Sequence, residues 1–250
     1  MFFVSRKKIM KHKLPEHIAF ILDGNGRWAK KRGLPRNMGH YRGAWNLVNI
    51  AKECQELGVK YLTVYAFSTE NWRRPEAEVN YLMETPVKEI NKYLDKIIES
   101  GVKINFIGLR NRVPKETLEL MIKLEKLTNN NKGINLLVAF DYGSRAEIVE
   151  AVKKITHQAL RYEIKETEIT EELLSNNLYT YNAPDPDLLI RTAGEVRLSN
   201  FLLWQLSYSE FYFSKKCFPA FNKRQLLKAI ADFQKRKRNY GGLKEIKNEN

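Results

Sequence analysis

The sequence is poor in cysteine and contains no long apolar run. Its two cysteines, Cys54 and Cys217, lie in different predicted elements and lack metal-ligand spacing. We therefore expect reduced thiols in a cytoplasmic protein and no disulfide framework. No run of apolar residues approaches the ~20 that a membrane-spanning helix requires. The amino-terminal residues also lack the order of a secretory signal, because their apolar stretch precedes the basic one.

Acidic residues are fewer than basic ones, 29 against 43, which gives a net charge of +14. Such a surplus suits a polyanionic partner, namely nucleic acid, an anionic membrane surface or phosphorylated substrates, although a solvated surface explains charged runs equally well. We expect no nucleic-acid partner, because no RNA-binding aromatic signature, zinc-finger spacing or helix-turn-helix pattern is present. Residues 1–13 are predicted to form a flexible basic arm, residues 14–242 one domain and residues 243–250 a tail.

Short apolar runs alternate with segments of helical period along the chain, and no linker or internal repeat interrupts the alternation. This order predicts a single α/β domain with a mostly parallel central sheet flanked by helices. The predicted strands are 17–22, 59–67, 102–108, 134–140 and 187–191, and the predicted helices are 42–57, 78–100, 115–128, 144–162, 170–177 and 222–238.

The first predicted strand is followed by Asp23-Gly-Asn-Gly-Arg-Trp28, which leads into a helix-like segment. A helix start offers free backbone N–H groups and a positive dipole end to an anion, and glycines let the backbone approach it closely. Asp23 can hold a divalent cation and Arg27 can bind phosphate oxygens as a fork. The motif therefore favours a site for a diphosphate and magnesium, although a polar turn capped by Asp23 would explain it alone.

Polar clusters follow three further strands, at residues 68–75, 141–145 and 191–200. The carboxyl ends of parallel strands meet at one edge of a sheet, where α/β proteins bind their ligands. Each cluster carries arginine and residues that cap helices, such as Ser68, so an ordinary helix entry is possible at each. Their convergence favours a phosphate site over unrelated turns.

The glycine-containing loop after the first predicted strand matches neither of two familiar phosphate-binding motifs. The loop lacks the Gly-Lys-Ser/Thr ending of a P-loop and the third glycine of the dinucleotide fingerprint. A phosphatase of the haloacid-dehalogenase type stays possible, but it would require an acid at position 25, where Asn25 stands.

Five motifs together resemble the cis-prenyltransferases, most of all the bacterial undecaprenyl diphosphate synthases. The resemblance extends from about residue 17 to about residue 242, with the motifs in the same order and spacing. The motifs are DGNGRWA (23–29), GH (39–40), YAFSTENWRRP (65–75), DPDLLIRT (185–192) and RLSNFLLWQ (197–205).

The resemblance implies condensation of isopentenyl diphosphate with an allylic primer, typically farnesyl diphosphate, to give a long polyprenyl diphosphate that serves as a lipid carrier in cell-wall synthesis. It implies Mg²⁺ as cofactor, with Asp23 and Glu210 as metal-associated carboxylates, Glu210 coming from the partner subunit of a homodimer. Asp23 and Asn71 are implied as catalytic. The implied substrate-binding residues are Gly24, Asn25, Gly26, Arg27, Arg36 and His40 for the primer, Arg191, Arg197 and Ser199 for isopentenyl diphosphate, Ser68, Glu70, Asn71, Trp72 and Arg74 around a flexible loop, and Trp28.

The resemblance also implies a hydrophobic tunnel for the growing chain, walled by the predicted helices 42–57 and 78–100. An aromatic stretch at residues 201–213 is a candidate for the core of a dimer interface, or is buried within one subunit. The lipid product and the basic surface imply a cytoplasmic protein with peripheral contact at the inner membrane face.

Four positions depart from the family pattern. Asp141 and Ser144 stand where Asn and Gly are usual, and Ala193 stands where Ser is usual. Near the carboxyl end, Asn239 replaces an arginine that reaches across the dimer to a diphosphate. A catalytically weak accessory subunit therefore stays open as an alternative, and so does a nucleic-acid-binding protein.

Overall fold

The computed structural model describes residues 5–236, apart from the side chains of residues 86–88. Its strands form one sheet in which neighbours in the order β3-β4-β2-β1-β5-β6 pair in parallel throughout the described residues. The strands are β1 (His17–Ile21), β2 (Tyr61–Ser68), β3 (Lys103–Ile107), β4 (Asn135–Tyr142), β5 (Leu188–Arg191) and β6 (Glu210–Phe213).

Helices connect the strands and cover the sheet, which confirms the predicted single α/β domain with a parallel sheet. The helix predicted over 78–100 is divided at Tyr93, where φ is −119°. The α-helices are α1 (Arg6–Ile9), α2 (Asn25–Lys30), α3 (Arg36–Leu57), α4 (Glu76–Lys92), α5 (Leu94–Glu99), α6 (Lys115–Thr128), α7 (Ser144–Leu160), α8 (Glu171–Asn177) and α9 (Lys223–Lys235), and short 3₁₀-helices lie at Thr69–Arg73, Glu166–Glu168 and Phe218–Ala220.

The sheet carries apolar side chains on both faces, because successive residues of a strand point to opposite sides. In β1, Ile18 and Phe20 pack in a cluster with α3 and α9, whereas Ala19 and Ile21 pack in a second cluster with Phe201. Every residue of β1 is buried. Burial on both faces explains why the strand has a continuous apolar run and no polar alternation.

A third cluster lies where β2 and β4 end. Phe67 and Phe140 pack there with Val79 and Met83 of α4 and with the half-buried Trp72. Val79 and Met83 thus pack in the interior, while the product tunnel stays a prediction.

Strand register brings the predicted loops to one edge. Ile21 pairs with Tyr65 of β2 and with Arg191 of β5, and Arg191 pairs with Phe213 of β6. The chain leaves β1, β2, β4 and β5 on this side, which we call the carboxyl rim. The four predicted polar clusters therefore share one edge of the sheet.

The predicted basic arm contains α1, and its Ile9 is buried. The side-chain amide of Gln234 in α9 donates to the carbonyl of Ile9 at 2.9 Å. The predicted domain boundaries stay a prediction, and Asn239 lies outside the described residues. Over residues 5–236, no helix combines the length and apolar character needed to cross a membrane.

Candidate active site at the carboxyl rim

Asp23 lies at the centre of the rim between two arginines. Its Oδ1 accepts from Arg27 Nη2 at 3.1 Å, and its Oδ2 accepts from Arg191 Nη2 at 3.0 Å. Burial alone raises the pKa of Asp23, but the hydrogen bonds from Arg191 and Arg27 outweigh burial, so the pKa lies below its ordinary value of 3.8. Asp23 is therefore a carboxylate at neutral pH.

The turn after Asp23 requires glycine. Gly24 has φ of +95°, and a Cβ there would lie 2.7 Å from the Cβ of Ala193 and 2.9 Å from Cys217 Sγ. The Thr192 hydroxyl donates to the Asp23 carbonyl at 2.7 Å and accepts from the Asp23 N–H at 2.9 Å. The turn is thus fixed against the loop that follows β5.

Two predicted ligands in this turn, Asn25 and Trp28, contact other helical residues. The Asn25 side chain packs towards α3, since a Cβ on Gly43 would lie 2.5 Å from its Oδ1. Trp28 is half-buried and stacks against Arg32, whose Cζ lies 4.2 Å from the ring centroid. Asn25 thus contacts α3 and Trp28 contacts Arg32, and the ligand roles of both residues stay predictions.

The loop after β5 gathers the predicted residues for the second diphosphate. The nearly buried Arg191 donates through Nη1 to Ser199 Oγ at 2.8 Å and to the carbonyl of Arg197. Glu195, which was not among the predicted site residues, accepts from Arg27 at 2.8 Å and from Arg197. Positive φ values of 70° at Ala193 and 51° at Ser199 give this loop its irregular course.

A second group of basic side chains surrounds Glu78, which lies in the first turn of α4. Its Oε1 accepts from Arg74 Nη1 at 2.9 Å and from Arg36 Nη2 at 3.1 Å, and it lies 3.4 Å from His40 Nε2. Arg36 also contacts Gly26, because a Cβ there would lie 3.0 Å from Arg36 Cζ. This group therefore adjoins the group around Asp23.

Sequence reasoning missed Glu78, although its position four residues after Arg74 is a spacing at which helical side chains pair. Burial lowers the pKa of His40, Glu78 raises it and Arg74 lowers it, and the result is a pKa below 6.5. His40 is mostly neutral at pH 7, so the positive charge here belongs to Arg36 and Arg74.

The predicted flexible loop begins at Ser68 and contains the 3₁₀-helix Thr69–Arg73. The Ser68 N–H donates to Asn71 Oδ1 at 3.1 Å, and the Ser68 side chain accepts from the Asn71 N–H. Glu70 accepts from Asn200 Nδ2 at 2.9 Å. These bonds fix Asn71 and tie the loop to the residue that follows Ser199.

Glu210 does not lie beside Asp23 within one chain. It pairs in register with Leu188 at the start of β5, whereas Asp23 follows the far end of β1. Its Oε2 accepts from Arg236 Nη1 at 2.7 Å. The predicted metal role of Glu210 therefore depends on a partner subunit. In residues 5–236 no group of three or more His, Cys, Asp or Glu side chains is placed to hold a metal ion.

The rim therefore presents five arginines in two adjoining groups around carboxylates. A family model described as "Putative undecaprenyl diphosphate synthase" matches residues 21–241. The chain belongs to this family. An isoprenyl transferase from Staphylococcus saprophyticus is 49% identical over 232 residues, covering 93% of this chain and 91% of that protein. One from Clostridium perfringens is 49% identical over 236 residues, covering 94% and 93%.

Two solved structures share the fold. Lavandulyl diphosphate synthase from Lavandula x intermedia, in complex with dimethylallyl diphosphate, has a TM-score of 0.88 and 37% identity, with 92% of this chain and 99% of that chain covered. A probable undecaprenyl diphosphate synthase from Campylobacter jejuni has a TM-score of 0.76 and 31% identity over the same shares. These matches confirm the resemblance to cis-prenyltransferases and place this chain among prenyl-transferring enzymes.

Two departures from the family pattern fit the structure. The Cβ of Ala193 packs against Gly24. The Ser144 hydroxyl accepts from the Leu203 N–H at 2.9 Å, and the Ser144 N–H donates to the carbonyl of Asn200 at 2.8 Å. Ser144 therefore anchors α7 to the loop after β5.

Proposed function

We propose that this chain condenses isopentenyl diphosphate with an allylic diphosphate primer such as farnesyl diphosphate, in the cis configuration, to give a long polyprenyl diphosphate such as undecaprenyl diphosphate. The observation that carries the proposal is the ionised Asp23 between Arg27 and Arg191 at the carboxyl rim. Family membership favours this activity over a phosphatase or a nucleic-acid-binding protein. Retention of the rim arginines argues against an inactive accessory subunit.

The allylic diphosphate is assigned to the turn at Gly24, Gly26 and Arg27. The first N–H groups of a helix have no intrahelical acceptor, and Arg36 lies directly against Gly26. The solved relative from Lavandula holds dimethylallyl diphosphate, which is itself an allylic diphosphate. His40, which lies beside Glu78, is a neutral imidazole and would donate a hydrogen bond to the same diphosphate.

Isopentenyl diphosphate is assigned to Arg191, Arg197 and Ser199. Arg191 is buried and already holds Ser199, so its guanidinium is preorganised and little side-chain entropy is lost on binding. Arg197 is exposed and can turn from Glu195 to a phosphate. The two diphosphates would thus lie on either side of Asp23.

The Asp23 carboxylate suits Mg²⁺, which is commonly held by one or two carboxylates together with substrate phosphates. In this chain Asp23 would hold the ion, and a partner's copy of Glu210 is the second candidate. When bound, Mg²⁺ neutralises charge on the departing diphosphate.

The reaction forms a carbon–carbon bond from the isopentenyl double bond to C1 of the primer, breaks the C1–O bond and releases one proton. Arg27 and Arg36 stabilise the charge that develops on the leaving diphosphate. Asn71 is assigned to orienting the isopentenyl group, because an amide donates and accepts hydrogen bonds but does not take up a proton at neutral pH.

A homodimer and peripheral membrane contact at the inner face of a bacterial cytoplasmic membrane are also proposed. Phe201 and Leu202 are fully buried within one chain, so the predicted aromatic stretch is core over that part. Val149, Val152 and Leu160 of α7 are exposed and supply a better apolar face for a second subunit.

The proposal is tested by incubating the protein with radiolabelled isopentenyl diphosphate, Mg²⁺ and either farnesyl or dimethylallyl diphosphate, followed by chain-length analysis. We expect incorporation that depends on both a primer and Mg²⁺, with long products from farnesyl diphosphate. No incorporation, together with strongly salt-dependent binding of an oligonucleotide, would support the nucleic-acid alternative instead.

A further inference from the structure

Asp141 is a charged side chain with no exposed surface, at the end of β4. Its Oδ1 accepts from the Trp72 indole N–H at 2.7 Å and from Arg112 Nη2 at 2.5 Å, and its Oδ2 accepts from Arg112 Nε at 3.1 Å. Burying a carboxylate is costly unless it is paired and hydrogen-bonded, and Asp141 is both. The hydrogen bonds of Asp141 to Arg112 and Trp72 therefore join three separate segments of the chain.

Arg112 reaches this position because its loop is fixed to the end of β4. Gly108 has φ of +134°, and a Cβ there would lie 2.1 Å from the carbonyl oxygen of Phe140. The Leu109 N–H donates to the Asp141 carbonyl at 3.0 Å, and Val113 is buried in the third cluster. The backbone on both sides of Arg112 is therefore anchored.

Trp72 is enclosed on several sides. The Cζ of Arg112 lies 5.4 Å from the Trp72 ring centroid, and the ring of Phe67 meets it edge-on at 5.2 Å. Trp72 is part of the 3₁₀-helix that carries Asn71, and Arg74 donates its N–H to the Asn71 carbonyl at 3.0 Å. Fixing Trp72 therefore fixes the residues on both sides of it.

We propose that Arg112 and Asp141 are positioning residues that hold the loop from Ser68 to Arg74 through Trp72, and thereby set Asn71 for isopentenyl diphosphate. The inference rests on the proposed function for its substrate. A buried ion pair adds little stability compared with apolar packing, whereas a fully satisfied polar network fixes one geometry. Removing Arg112 alone leaves the Asp141 carboxylate buried and without its charge partner, so it lowers global stability as well as loosening the loop, whereas removing both charges spares stability.

The test compares Arg112→Gln with Arg110→Gln, a matched control from the same loop. Arg110 donates to Glu125 at 2.7 and 3.1 Å and is similarly exposed, but its partner lies on α6 and not on the substrate loop. Hydrogen–deuterium exchange of residues 69–74 is measured first. We expect exchange about tenfold faster in Arg112→Gln and unchanged in Arg110→Gln.

Steady-state kinetics give the second measurement. We expect Arg112→Gln to raise KM for isopentenyl diphosphate about tenfold, with KM for farnesyl diphosphate unchanged. The double variant Asp141→Asn with Arg112→Gln removes both charges and keeps an acceptor for the indole, so it should recover most of the lost affinity.

Equal exchange in the two single variants, or a KM shift that Arg110→Gln shares, would overturn the inference. A wild-type protein that incorporates no isopentenyl diphosphate would refute the proposed function instead. The exchange comparison would still decide in that case whether Arg112 fixes the loop.

Discussion

Replacing Asp23 with Asn removes one negative charge from between two arginines and keeps the size of the side chain. A hydrogen bond to a charged group contributes about 1.5–3 kcal/mol to stability. Because Asp23 and Arg27 are partly exposed, and because the Asn carbonyl still accepts one bond, we expect the free energy of unfolding to fall by about 2 kcal/mol. For a chain of this size, that loss lowers Tm by about 4–8 °C.

In Asp23→Asn, we expect a large loss of turnover beside this modest loss of stability. Asp23 is the proposed Mg²⁺ ligand, and removing one group that stabilises developing charge typically lowers kcat by about a hundredfold or more. The assay is incorporation of labelled isopentenyl diphosphate at saturating substrates, beside thermal melts. Glu53→Gln is the matched control, since Glu53 is similarly buried and pairs with Lys223 at 2.7 Å away from the rim.

The pH dependence supplies an independent check. The pKa of Asp23 in the folded protein is lowered from 3.8, so its contribution to stability is present above that value and is lost as the pH falls through the folded pKa. The stability difference between the wild type and Asp23→Asn should therefore shrink in acid. Near-normal turnover in Asp23→Asn, with Glu53→Gln equally active, would refute the reasoning about Asp23.

Three other predictions concern single residues. Gly24→Ala should lower the free energy of unfolding by about 1–3 kcal/mol and reduce incorporation, because φ is +95° and the Cβ would clash with Ala193; unchanged melts would contradict this. Glu78→Gln should lower the pKa of His40 further, as measured by NMR titration, and raise KM for the primer; a raised His40 pKa would count against the contact. His17 is buried and its pKa is lowered to about 4, so the unfolded chain takes up a proton first as the pH falls from 6.5. His17 should therefore lower the free energy of unfolding by about 3 kcal/mol as the pH falls from 6.5 to 4. In denaturant titrations, the free energy of unfolding of His17→Gln should fall less steeply with decreasing pH over this range.

Much of the fold follows from patterns that the sequence displays. The run at 17–22 is buried on both faces, and each of the five predicted strands is present in the sheet. β6 was missed because Glu210–Phe213 has four residues, all half-buried, and so lacks a continuous apolar run. The division at Tyr93 was also missed, since helical spacing continues from α4 into α5.

The site was predictable where glycines and charged residues directly follow predicted parallel strands. Gly24, Arg27 and Arg191 converge on Asp23 as their positions after parallel strands indicated. Partners that depend on packing between distant segments were not predictable. Glu78 meets Arg36 only because α3 and α4 lie together, and Arg112 reaches Asp141 only because its loop crosses the end of β4.

The central claim is that two diphosphates bind on either side of Asp23. It is tested most directly by a crystal structure with isopentenyl diphosphate, Mg²⁺ and a non-hydrolysable thio analogue of farnesyl diphosphate. The account predicts the allylic diphosphate at Gly24, Gly26 and Arg27, and the isopentenyl diphosphate at Arg191, Arg197 and Ser199. Density for both ligands away from this rim, with Asp23 still paired to Arg27 and Arg191, would contradict it.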